Sequence, residues 1–155
     1  MNMKENPTAG QNTDMRYRSL LIIWGAQLSS LSLFFLLTIF IERPTVAGDA
    51  DALRWIFPAL GCLLVLLSFV LKSRIVAQAV ERQDAGRVLV GYIVGFAICE
   101  MAGLLGLLLY FMRGASVQYY FLFALAALGL LLHAPRRSHL SDASFKREGL
   151  GTNQF

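Results

Sequence analysis

Glu100 is the one charged residue in Val88–Met112, a run of 25 residues, and it occupies the run's middle position. A helix of that length rises roughly 37 Å at 1.5 Å per residue, enough to cross about 30 Å of hydrocarbon. An acid at mid-span costs roughly 2.5–3.5 kcal/mol on insertion scales, so it is expected to carry chemistry or to hold structure. Burial disfavours the charged form of a carboxyl, so an acid here is expected to be neutral until a cation or water approaches it. The first apolar stretch supplies hydrogen-bonding groups near its middle: Gln27, Ser29, Ser30 and Ser32. Gln27 and Ser30 are three residues apart and share a helix face. The chemistry expected of this set is proton or cation binding at Glu100, with Gln27 and Ser30 as hydrogen-bond partners. The competing expectation is a structural or accessory subunit whose glutamate only locks helices together.

Other reactive residue types are sparse. Cys62 and Cys99 both lie in apolar stretches, where a free cysteine acts as a small apolar residue. His133 and His139 stand near the end of the last apolar stretch and read as an interfacial or solvated pair. No metal-ligand spacing, phosphate-cradling loop or Cys/His/Asp constellation is present, so the expectation is no enzyme, no metal and no cofactor.

The elements that must position Glu100 follow from composition. The chain has 155 residues, 56% hydrophobic and 15% charged, against about 25% charged in soluble domains. Four stretches account for this: Ser19–Ile41, Trp55–Leu71, Val88–Met112 and Gly114–Pro135. Each is long enough to cross a bilayer, the second with help from snorkelling of Arg54 and Lys72. The first is too long for the core of a cleaved secretory signal, so it is expected to stay as a span. The fold expected is all-α: an integral membrane four-helix bundle over residues 17–135, with helices at about 17–41, 54–73, 88–112 and 115–134. Flexible cytoplasmic tails are expected at 1–16 and 136–155, since both are polar and lack periodic apolar residues.

Basic residues set the orientation. The two tails and the loop between the second and third stretches hold eleven Lys and Arg, the two remaining loops three. The positive-inside rule then puts both termini in the cytoplasm, with the chain in the cell (inner) membrane. The pI of about 9.4 is therefore a topology signal, and no nucleic-acid partner is expected. The expected partners are the lipid bilayer and either further copies of the chain or other membrane subunits. Between the second and third stretches, Ile75, Val76, Ala79 and Val80 recur at helical spacing, and turn-forming residues are confined to Gln83–Gly86. This predicts a second helix continuing to about Arg82, a tight turn, and a third helix: a long helical hairpin with a cytoplasmic tip.

On the third helix, Gly91, Gly95, Cys99, Ala102 and Gly106 fall within about 80° of one another, and Glu100 points about 140° from their centre. Small residues at these spacings admit a close neighbour. Glu100 must face something else: another helix, another subunit or lipid.

Residues 79–112 resemble the second half of the proteolipid subunit c of rotary ATP synthases. Arg82 and Gln83 match the Arg-Gln of that family's cytoplasmic loop, Glu100 its ion-carrying acid, and Gly106 the glycine that follows. The resemblance implies a proton- or cation-carrying role for Glu100 and assembly with like subunits. The sequence departs where the family has proline, with Asp84 in that place, and where the family's first helix is densely glycine-repeated, since Trp55–Leu71 has one glycine, Gly61. Small multidrug exporters also embed a glutamate among four helices, but in the first helix, and Ser19–Ile41 carries no charge.

The charge asymmetry yields a first prediction. A label that cannot cross membranes should reach Asp49→Cys from outside the cell and Gln83→Cys from the cytoplasm. Labelling of Asp49→Cys from the cytoplasm alone would invert the orientation.

Overall fold

The structure is a computed structural model that describes residues 7–41, 51–113 and 116–149. The acidic loop around Asp49 and the outermost parts of both tails lie outside the described residues. Among the described residues all regular structure is helical: α1 (Pro7–Phe40), α2 (Asp51–Glu81), α3 (Ala85–Arg113), α4 (Val117–Leu132) and α5 (Arg137–Gly149). Three of these, α1, α2 and α3, are long and apolar enough to cross a membrane. The 16 residues of α4 span only about 24 Å, and α4 reaches spanning length only together with α5, across a bend of 47°.

Two segments read as tails differ from expectation. The helix of the first stretch begins at Pro7, ten residues before the expected boundary, and Arg137–Gly149 forms a fifth helix. The reason is tertiary. Leu140 and Ala143 are buried, and they lie three apart on one α5 face. Arg137 pairs with Asp14 of α1, tying the polar start of α1 to the start of α5. Neither segment has the apolar period that marks a helix in sequence; each is ordered by what it leans on.

The turn between α2 and α3 has a stated local cause. Gln83 takes a positive φ of 55°, the left-handed conformation that ends many helices. Its N–H donates to the Val80 carbonyl at 3.2 Å and the Asp84 N–H to the Ala79 carbonyl at 2.9 Å, the paired bonds of a Schellman ending. Asp84 then starts α3. Its Oδ1 accepts from the backbone N–H groups of Gly86 (3.0 Å) and Arg87 (3.2 Å), satisfying donors that a helix start leaves free. Asp84 is therefore a cap, and a proline there would have no side-chain oxygen to offer.

The core sits around α3, which touches each of the other four helices. Its fully buried residues include Val88, Tyr92, Phe96, Cys99 and Ala102, packed with Val65, Val76 and Ala79 of α2 and Leu122, Ala126 and Leu130 of α4. Small residues make this possible. A Cβ added at Gly91 would lie 3.1 Å from Ile75 Cγ2, and one at Gly106 would lie 3.2 Å from Leu122 Cβ. At Gly95 the clash would be with His133 Cδ2, at 2.8 Å. The stripe of Gly91, Gly95, Cys99, Ala102 and Gly106 thus receives α2 and α4 of the same chain.

The glycines give a contrast that can be measured. Gly95→Leu should lower stability by at least ~1–3 kcal/mol through overpacking against His133. Gly25 has nothing near its would-be Cβ, so Gly25→Ala should be neutral or stabilising by up to ~1 kcal/mol. Thermal unfolding in detergent separates them; equal midpoints for the two variants would contradict this packing.

Candidate functional site

Glu100 projects from α3 toward α1. Ser30 Oγ donates to Glu100 Oε1 at 2.7 Å. The Gln27 side chain lies against the same carboxyl; with its nitrogen turned inward, it donates to Oε2 and, at 3.2 Å, to Oε1. The structure therefore brings Gln27, Ser30 and Glu100 together, across 70 residues of sequence in the case of the serine. All three are half-buried, so the cluster lies on the flank of the bundle where α1 meets α3.

Several contacts fix α1 in this register. Asp14 pairs with Arg137 at one end. Trp24 Nε1 donates to the Leu130 carbonyl of α4 at 2.8 Å. Just beyond Ser30, Leu31 sits over Gly103, whose missing Cβ is what admits it. Farther along, Phe35 meets Phe123 edge-on at 5.5 Å between ring centres, and at the far end Tyr110 Oη donates to the Ile41 carbonyl at 2.7 Å. Glu100 sits in the middle of this seam.

The chemistry of the cluster turns on the amide. A carboxylate only accepts hydrogen bonds, and a protonated carboxyl has one to donate. Gln27 can present its NH2 to the first or, after a half-turn about its terminal bond, its carbonyl oxygen to the second. Ser30 can donate to the carboxyl in either state. The three residues can thus satisfy Glu100 with or without its proton, and the backbone need not move.

The other predicted positions fall elsewhere. Arg82 and Gln83 form the α2–α3 turn, a long way along α3 from Glu100. Gly91, Gly95, Ala102 and Gly106 are buried on the opposite side of the helix. An apolar groove of about 630 Å³ between α1 and α4, lined by Leu31, Phe35, Tyr120 and Phe123 among others, does not include Glu100.

A second polar cluster has no counterpart in the sequence reading. His133 is fully buried, a correction to its placement at an interface or in solvent. Its Nδ1 donates to the Gly129 carbonyl at 2.8 Å, which leaves Nε2 as the acceptor. Ser68 Oγ lies 3.3 Å from that Nε2 and 3.3 Å from Cys99 Sγ. Ser68 thus links Cys99 to His133, all three at 0% exposure. Phe69 covers the imidazole at 4.2 Å between ring centres. The signal that could have placed His133 is Gly95, whose missing Cβ makes room for the ring. His139 is held in another way, with Tyr92 Oη 2.8 Å from its Nδ1. No group of three or more metal-ligating side chains occurs among the described residues.

The Ser30–Glu100 bond should be measurable as coupling. A double-mutant cycle with Ser30→Ala and Glu100→Ala should give an interaction energy of about 0.5–1.7 kcal/mol, the range for polar contacts between membrane helices. A value of zero would mean the two helices meet in another register. Comparison of the chain with protein-family models, with curated proteins and with solved structures gives no match.

Proposed function

We propose that this is a multi-pass membrane protein that responds to protons or cations through Glu100, in the manner of a proteolipid, with Gln27 and Ser30 as the groups that accommodate both protonation states. The observation that carries the reading is the placement of a half-buried acid against an amide and a hydroxyl on the facing helix. An amide that can reverse itself suits a group that gains and loses a proton. Partial exposure on the flank of the bundle gives the proton or ion a way in that a sealed core would deny. The resemblance of residues 79–112 to subunit c points the same way: an acid at mid-helix, a polar hairpin turn before it.

The architecture that fits is a four-helix membrane bundle, with α4 and the bend after it forming the fourth crossing and the α2–α3 hairpin tip in the cytoplasm. Both termini then lie on the cytoplasmic side of the cell membrane. Self-association, if it accompanies function, uses faces other than the small-residue stripe, which α2 and α4 already fill. The flank where α1 and α3 meet is such a face, with Leu33, Met101, Leu104 and Leu108 exposed.

The second reading, a structural lock, is favoured by the same hydrogen bonds. Glu100→Gln separates the two. Glutamine is nearly the same shape and stays neutral, so a lock survives the change while a proton carrier cannot. In proteoliposomes the variant should keep its helical content and lose any proton- or cation-linked flux. Undiminished flux through an intact Glu100→Gln protein would leave only the lock.

A further inference from the structure

Tyr92 gathers two cations with no carboxylate paired to either among the described residues. The tyrosine is fully buried, and three helices use it. Lys72 of α2 places Nζ 4.2 Å from the centre of its ring. The backbone N–H of Arg136, at the α4–α5 bend, donates to its hydroxyl at 3.1 Å, and His139 of α5 sits 2.8 Å from that hydroxyl. Arg136 is near enough to Lys72 for the two cations to repel, and among the described residues no carboxylate offsets this at Lys72. The ion pairs formed nearby engage other groups: Arg137 with Asp14, and Arg87 with Asp84. Burial, then the charges of Lys72 and Arg136, hold the His139 imidazole below its ordinary value against the weaker pull of Asp142.

Two like charges drawn together at a fixed, partly dry point lower each other's stability unless an anion completes the set. Their position says which anion. Lys72 immediately follows the apolar stretch Trp55–Leu71, and Arg136 immediately follows Gly114–Pro135. Both therefore stand at the rim of apolar helices, the level of lipid headgroups. Leu131 and Leu132, a turn before Arg136, are exposed and offer an apolar wall to acyl chains. Arg136 is exposed and Lys72 half-buried, so one cation is open to an incoming headgroup and the other backs it.

We infer that Lys72, seated on the Tyr92 ring, and Arg136, whose backbone Tyr92 fixes beside it, form a binding site for the phosphate of an anionic phospholipid at the membrane rim. Occupation of the site pins α2 to the α4–α5 bend and steadies the docking of α5. The site is separate from Glu100 and does not rest on the proton-binding reading.

The test uses the purified full chain in detergent, titrated with short-chain phosphatidylglycerol, with phosphatidylcholine of the same chain length, and with inorganic phosphate. Phosphatidylglycerol should raise the thermal unfolding midpoint saturably, and the other two should not. In Lys72→Gln/Arg136→Gln the half-saturating concentration should rise about 30-fold, given roughly one decade's worth or slightly less per cation at a membrane surface. Arg136→Gln alone keeps the backbone bond to Tyr92 and serves if the double variant fails to fold; it should weaken binding about 5-fold. Arg74→Gln removes an exposed cation of the same helix and should change nothing. An equal shift with phosphatidylcholine overturns the site in favour of unspecific solvation, and an equal shift with inorganic phosphate overturns the lipid in favour of a free anion. A response untouched by Arg136→Gln, or lost equally in Arg74→Gln, overturns the assignment to these residues.

Discussion

The placement of α1 depends on polar contacts more than on burial, and the bond between Ser30 and Glu100 lies at their centre. α2 and α3 are joined by a tight turn, and α3 and α4 meet through glycines, so their packing follows from chain connection and close backbone approach. α1 has neither advantage. Most of its length is exposed, with Ile22, Leu33, Ile39 and Phe40 among the uncovered residues. In hydrocarbon such residues gain nothing by burying against another helix, because lipid is as apolar as they are. What selects one register out of many is the set of polar groups that would be stranded in any other: Glu100, Gln27, Ser30 and the Trp24 indole. Slide α1 by one residue and each loses its partner.

This makes α3 a helix with two unlike faces. One is stripped of side-chain volume at Gly91, Gly95, Ala102 and Gly106, and neighbours fill it. The other carries the acid, with Gly103 beside it to let Leu31 approach. The division places Glu100 away from the dense core and on a seam that opens to the outside of the bundle. A carboxyl on the small-residue face would have met the buried packing around Cys99 and His133, where a charge could be neither solvated nor exchanged.

The parts of this arrangement that sequence made legible share a property: their cause is local or periodic. The turn at Gln83–Gly86 announces itself because the apolar period stops there and an aspartate stands one residue before the new helix. The stripe on α3 is visible because small residues recur at helical spacing. Gln27 and Ser30 could be matched to Glu100 because all three stand near the middle of their spans, and residues at similar depth are the ones able to meet. His133, Ser68 and α5 were not legible for the converse reason. His133 follows an apolar run and precedes Pro135 and two arginines, all marks of a boundary, yet the ring turns back into space vacated by Gly95. Ser68 looks like one more small residue of a span, and its importance comes only from the ring and thiol beside it. α5 has almost no apolar face, and its two anchors, Leu140 and Ala143, mean nothing until Tyr92 and Asp14 are in place to receive its other residues.

The choice of glutamate over glutamine at position 100 remains the sharpest clue in the chain. Glutamine would donate and accept hydrogen bonds at the same place, could hold Ser30 and Gln27 as well, and would avoid the cost of a charge in hydrocarbon. What glutamate alone adds is a proton that can leave. Its partners strengthen the point. A lock is best made from groups with one fixed bonding pattern, such as the Trp24 N–H aimed at a carbonyl. An amide and a hydroxyl have no such fixed sense, since one reverses by a half-turn and the other rotates its hydrogen. The seam between α1 and α3 thus pairs its most costly residue with its two most adaptable ones. That combination fits the proposed proton-exchanging site, where one set of partners must serve the carboxyl with and without its proton.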